Sequence, residues 1–198
     1  MEFWDVIKNR RSIRNFLPRP VENEKIIEVL EAARLAPSWQ NRQCWRFIVV
    51  TDQEKIKRIG QLDPFNYNIN FFLRNVPVII VACANPKDSG HRAGIEYYLV
   101  DTAIAMEHLV LAATNLGLAT CWIGAFDENM IKDILKIPKE IRVVALTPLG
   151  YAREKFSIVD RISKIIARGG IRKPLEEIAY LNLWGEKFVK QSTNNRKS

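Results

Sequence analysis

Residues 109–126 read LVLAATNLGLATCWIGAF, eighteen consecutive positions without a formal charge. Length alone makes the stretch a candidate membrane span, since about 18 apolar residues begin to suffice for one. Asn115, Leu116 and Gly117 decide against it, because Asn and Gly tolerate the left-handed backbone that ends a helix. The stretch is therefore read as a helix end followed by a buried strand.

Upstream, residues 93–116 carry Ile95, Leu99, Ala103, Met106, Leu109, Val110 and Ala113 at helical spacing, and Tyr98, Thr102 and Ala105 widen the stripe. One helix over that range spans about 36 Å. A helix so apolar must be covered on most sides. It is expected both at the centre of the core and against a second subunit. His108, within it, is expected to be a hydrogen-bonded core or interface residue. Residues 45–51 (WRFIVVT), 77–84 (PVIIVACA), 119–123 and 142–147 are apolar, β-branched runs of strand length. Phe3, Val6 and Ile7 predict a short opening helix, and Ile26, Ile27, Leu30 and Ala33 a second one, capped by Asn23 and ending at Ala36 and Pro37. Asp52 and Asp127 read as caps of two more. Four strands alternating with helices give an α/β or α+β class in one domain, with no repeat or linker.

The 198 residues are 47% hydrophobic and 26% charged, which excludes a disordered or low-complexity chain. Cys44, Cys83 and Cys121 lie far apart with no C-x-x-C, and there are only two histidines, so zinc and haem sites of the usual spacing are excluded. Free thiols and an N-terminus, MEFWDVIKNRR, without an apolar signal core fit a cytoplasmic protein.

The net charge of +8 is not spread evenly. Residues 8–19 carry +5, 153–173 carry +5 and 187–198 carry +4, leaving the rest of the chain at −6. Each cluster has a plain reading as a solvated face. A nucleic-acid partner would favour a longer basic stripe interleaved with aromatics, so a small anionic ligand fits better. The run QSTNNRKS at 191–198 has no apolar residue and is expected to be a disordered tail.

Within the first cluster, Arg10, Ser12 and Arg14 share one side if the chain is extended, and Arg10 and Arg14 share one if it is helical. Either way two guanidinium forks and a hydroxyl suit a phosphate. A second segment, APSWQNRQCWRF at 36–47, is an amide-rich connection from helix to strand, for which turn chemistry is the plain alternative.

RRSIRNF at 10–16, APSWQNRQCWRFIVV at 36–50, GLATCWIGAF at 117–126, IRVVALTPLGY at 141–151 and RKPLEEIAYLNLW at 172–184 together resemble the nitroreductase family of FMN-dependent NAD(P)H oxidoreductases, over roughly residues 2–185. The resemblance implies an α+β fold with a mixed central sheet flanked by helices. It also implies a homodimer with long interface helices, and two FMN sites lined by both subunits. Residues 1–185 are then one FMN-binding domain and 186–198 a C-terminal extension.

Matched position by position, Arg10 and Ser12 meet the FMN phosphate and ribityl chain with Arg11 as helper, and Arg14 lies near N1 and O2 of the ring. Pro37, Ser38, Trp39, Asn41 and Gln43 belong to the loop supplied by the other subunit. Asn68 or Asn70 supplies a ring contact, Ile123 and Gly124 approach N5 through their backbone, and Arg172 and Lys173 close on the phosphate. Two departures stand out. Cys44 replaces a frequent Pro, and Trp39 replaces a small residue, so that it either narrows the substrate pocket or stacks near the flavin ring, with core or interface packing as the plain alternative.

The resemblance explains an absence. A flavin carries the hydride itself, so no protein nucleophile or acid–base pair is needed, and none is legible: there is no G-x-S-x-G, and Cys44 has no histidine partner. The missing G-x-G-x-x-G agrees with a ping-pong cycle in which NAD(P)H and then a nitroaromatic or quinone acceptor occupy one pocket on the flavin. A reductive dehalogenase or flavin destructase on the same fold is the nearest alternative, and a basic nucleic-acid-binding module the one from another class.

Overall fold

The computed structural model describes residues 1–61, 70–153 and 172–188. Backbone contacts divide the chain into two units, Met1–Ser157 and Ile158–Ser198.

The first unit contains helices α1 (Phe3–Asn9), α2 (Asn23–Arg34), α3 (Gln53–Ile59), α4 (Tyr97–Asn115) and α5 (Glu128–Leu135). Its strands are β1 (Trp45–Val50), β2 (Val78–Ala84), β3 (His91–Arg92), β4 (Ile95–Glu96), β5 (Ala119–Thr120) and β6 (Arg142–Gly150). The main sheet has the order β1-β2-β6-β5, and every neighbouring pair is antiparallel. A parallel bridge, Ser12 with Thr120, continues the sheet beyond β5. The fold class is α+β.

β2 explains how the layers form. All seven of its residues are buried, and because successive side chains point to opposite faces, they serve two cores. Ile79, Val81 and Cys83 join Ile56, Leu73, Ile131 and Leu146 under α3 and α5. Val78, Ile80 and Ala82 join Val29, Ala33, Met106, Leu109 and Leu149 under α2 and α4. Each fully buried Ile or Leu contributes about 1.5–3 kcal/mol relative to exposure.

Two local readings change. α4 begins at Tyr97, because Ala93 (φ 53°) and Gly94 (φ 79°) turn a small β3–β4 hairpin over residues expected to be helical. Asn23 is the first helical residue of α2 rather than its cap; Glu22 takes that place without a side-chain cap bond. Asp52 does cap α3, accepting from the amides of Glu54 and Lys55, and Asp127 caps α5 through Met130. Gly117, at φ 73°, follows the end of α4. No helix among the described residues is long and apolar enough to cross a membrane.

In the second unit, Leu175–Glu177 forms a 3₁₀ turn, Tyr180 bridges Lys187, and the Tyr180 and Trp184 rings lie 4.9 Å apart.

Candidate functional site

The first basic segment is extended and attached to the sheet edge. Ser12 bridges Thr120, the Ile13 amide donates to the Thr120 carbonyl at 2.8 Å, and Phe16 bridges Ala152. Ser12 is exposed and Arg10 and Arg14 are half-buried. The Arg11 guanidinium turns back to the carbonyls of Lys8 and Arg10, closing the end of α1.

Thr120 brings this segment beside the reading for the flavin's N5. Ile123 is buried and exchanges two hydrogen bonds with Leu146, at 2.9 and 3.0 Å. Gly124 follows with open space beside it: a Cβ there would meet nothing within 4 Å. Asn70, 3% exposed, donates to the Ala125 carbonyl at 2.6 Å and holds the stretch from the other side. Asn68 lies outside the described residues, as does the tail at 191–198.

The second segment is held elsewhere, by a residue that reading the sequence had missed. Asp101 on α4 is 2% exposed; its Oδ1 accepts from the Trp39 amide at 2.8 Å. Its Oδ2 accepts from the Ser89 hydroxyl at 2.7 Å and from the Cys44 thiol at 3.6 Å. The signal was present as the one carboxylate between Tyr97 and Met106 in a helix otherwise read for its apolar stripe. Within the loop, the Ser38 hydroxyl accepts from the Gln43 amide at 2.9 Å, and the Gln43 side chain donates to Asn41. Gln40, Asn41 and Gln43 all have positive φ, at 49°, 55° and 50°. Three such residues, none of them glycine, store backbone strain that the anchors must offset. Pro37, Asn41 and Gln43 are exposed.

Trp39 packs within the fold. Its ring lies 4.1 Å from that of Tyr97, and a Cβ on Gly90 would come within 2.4 Å of it. Cys44 is fully buried, and burial, with Asp101 nearby, pushes its thiol up to about 11. It is therefore a thiol at neutral pH and a poor nucleophile. His108 faces the Ala32 carbonyl at 3.3 Å.

The second segment thus attaches to α4 itself, and the first to β5, which follows the end of α4. Asp101 lies near its start, whereas Thr120 follows its end, and Asp101 to Asn115 is about 21 Å along the helix axis. Arg172 and Lys173 are exposed and belong to the second unit.

These residues fit FMN. Guanidinium and hydroxyl donors on an extended strand suit a phosphate monoester, and Gly124, whose amide makes no hydrogen bond among the described residues, leaves its backbone open to approach.

The model of the family described as "Nitroreductase family" matches residues 7–64 and 61–151. A crystal structure of a nitroreductase family protein from Clostridium novyi NT is 41% identical, covers 95% of this chain and 97% of its own, and superposes with a TM-score of 0.75. An FMN-dependent nitroreductase from Clostridium difficile R20291 is 32% identical over 82% of this chain and 96% of its own, with a TM-score of 0.69. An Archaeoglobus fulgidus protein, whose name pairs NADH dehydrogenase with NAD(P)H nitroreductase, is 36% identical over 158 residues, 78% of this chain and 87% of its own. The chain belongs to the nitroreductase family.

Proposed function

We propose that this protein is an FMN-dependent oxidoreductase that passes a hydride from NAD(P)H to nitroaromatic, quinone or similar acceptors, the two taking turns in one pocket. The observation that supports the reading is the extended segment at 10–14, which carries Arg10, Ser12 and Arg14 and bridges Thr120, four residues before the open backbone at Gly124. FMN, when bound, supplies the uptake and delivery of hydride at N5. The chain's own residues position and polarise. Arg10 and Ser12 hold the phosphate. Arg14 places positive charge at the N1 and O2 edge. Ile123 and Gly124 form a backbone wall beside N5.

The protein acts as a homodimer in this reading, and loop 37–43 of one copy completes the site on the other. The attachment of the two segments near opposite ends of α4, one to Asp101 and the other to β5, supports this, as does a set of exposed apolar side chains on α1, α2 and α4. Phe3 and Trp4 are 67% and 65% exposed, and Ile7, Ile27, Leu99 and Val100 also face outward. A monomer rarely leaves such a surface in water.

The test is direct. Purified protein is expected to be yellow, to release FMN on denaturation, to sediment as a dimer, and to oxidise NAD(P)H with a nitroaromatic or quinone. Colourless protein that takes up no FMN but shifts DNA with a steep salt dependence would make it a basic module instead. Turnover of a halogenated tyrosine in preference to quinones would assign it to the dehalogenating branch.

A further inference from the structure

Between the chain that leads into α2 and the end of the β1–β2 pair lies a cavity of about 360 Å³. The backbone explains why it is there. Leu17 is tied to the Tyr151 carbonyl at 2.8 Å and α2 starts at Asn23, so residues 18–22 have to bridge the gap. Pro18 and Pro20 hold the residues before them, Leu17 and Arg19, in extended conformations, and helix cannot start earlier. On the other side, the β1–β2 ladder ends at the pair Val50–Ile79, and Pro77 just beyond brings no N–H to extend it.

The lining sorts into a floor, walls and a rim. Val21, Ile26, Val76 and Val78, all buried, form an apolar floor. The rings of Pro18, Pro20 and Pro77 supply flat apolar walls. Asn23, Thr51 and Asn75 stand exposed at the rim, and their side chains make no hydrogen bond among the described residues. Arg19 brings the one charge to this lining, and that charge is already engaged: its guanidinium pairs with Glu22 at 2.8 Å and lies 4.0 Å over the Tyr151 ring. None of the residues read for the flavin lines the cavity.

An apolar floor with a few polar groups above it is the usual form of a small-molecule site. Without an unpaired charge to receive it, an ion would lose hydration there and gain little, so the ligand is neutral. Each carboxamide presents a donor and an acceptor side by side, which matches the N–H and ring nitrogen of a base edge, as when Asn pairs with adenine. A flat ring also suits the proline walls.

We propose that this cavity is a nucleobase site, in which Asn23 and Asn75 hold the edge of the base and the prolines cover its faces. Two sources carry that chemistry, a free nucleoside and the adenine of NAD(P)H. The second source rests on the oxidoreductase reading above, and the first does not.

Adenosine titrated into the purified protein saturates in the roughly millimolar range, as befits an open site without charge, whereas ribose and benzyl alcohol do not saturate over the same range. Asn23→Ala and Asn75→Leu each weaken adenosine binding about fivefold, the effect of losing hydrogen bonds between neutral groups, and leave the melting temperature and FMN binding as in the parent. Kinetics separate the sources. If the adenine of the donor sits here, N23A raises KM for NADH about fivefold and leaves unchanged that for reduced nicotinamide mononucleotide, which lacks the adenine. Unchanged KM for both donors, with adenosine binding still weakened, assigns the site to a free nucleoside. No saturation by adenosine, benzyl alcohol binding as tightly as adenosine, or adenosine binding that neither variant alters overturns the proposal. Protein that binds adenosine through Asn23 and Asn75 but never oxidises NAD(P)H would overturn the oxidoreductase reading and leave the nucleobase site standing.

Discussion

Replacing Asp101 by Ala removes the carboxylate that fastens the 37–43 loop to α4. Two of its bonds are short, 2.8 Å to the Trp39 amide and 2.7 Å to the Ser89 hydroxyl; the Cys44 thiol at 3.6 Å is weak. A hydrogen bond to a charged group contributes about 1.5–3 kcal/mol, and a buried donor left unpaired costs about 1–3 kcal/mol. Against this, the variant no longer has to desolvate a carboxylate. A net loss of about 3 kcal/mol follows, and at roughly 2–4 °C per kcal/mol for a chain of this size the melting temperature should fall by about 6–12 °C. Asp101→Asn keeps the shape and one acceptor for Trp39, and should cost about 1 kcal/mol. The loop adds a second readout. Once unfastened, Gln40, Asn41 and Gln43 can leave their left-handed conformations. FMN affinity, measured by fluorescence quenching at a temperature where both proteins are folded, should therefore fall about tenfold in D101A and recover in D101N. A D101A protein that melts within 1 °C of the parent (roughly 0.3–0.5 kcal/mol) and binds FMN equally well would refute the reasoning.

Other outcomes follow from single sites. Burial would raise the Glu128 carboxyl, but Arg142, the Val143 amide and Lys132 outweigh it and bring it down from 4.5 to about 2. A depressed carboxyl stabilises the fold above its unfolded pKa, so its contribution is complete above about pH 5 and is lost between about pH 4.5 and 2; Glu128→Gln, about 2 kcal/mol less stable at pH 7 after allowing for solvent screening, should flatten that part of the acid denaturation curve. Gly90→Ala drives a methyl into the Trp39 ring and should cost about 1–3 kcal/mol, with a shift in tryptophan emission; an unchanged spectrum and melting curve would show that the ring has room to move. Arg14→Ala should lower the reduction potential of bound FMN, by about 30 mV for each tenfold change in the two-electron equilibrium; an unchanged potential with FMN still bound would remove its electrostatic role.

Much of this fold is legible in local pattern. The run at 77–84 announces a buried strand because it is apolar at every position, the run at 142–147 because Val143 to Leu146 are, and the Asp52 and Asp127 caps are read correctly from one residue each. The start of α4 is not, because apolar Ile95 continues the helical spacing while the turn is made by a positive φ at Ala93, a residue that gives no such signal. The strand at 119–123 shortens to Ala119–Thr120 plus a bridge at Ile123. For the site, donor chemistry at Arg10, Ser12 and Arg14 is visible in sequence. Asp101, 57 positions from Cys44, is not, because what it does depends on tertiary proximity alone.

The position of β2 sets how the molecule opens. Its amides are paired on both sides and neither face meets solvent, so they should exchange with deuterium only when the whole first unit unfolds. Their protection reports the global free energy. The 37–43 loop, held to α4 through the Asp101 carboxylate and the Trp39–Tyr97 ring contact, can exchange by a smaller and cheaper opening, and the gap between the two measures how much freedom the fold allows the loop.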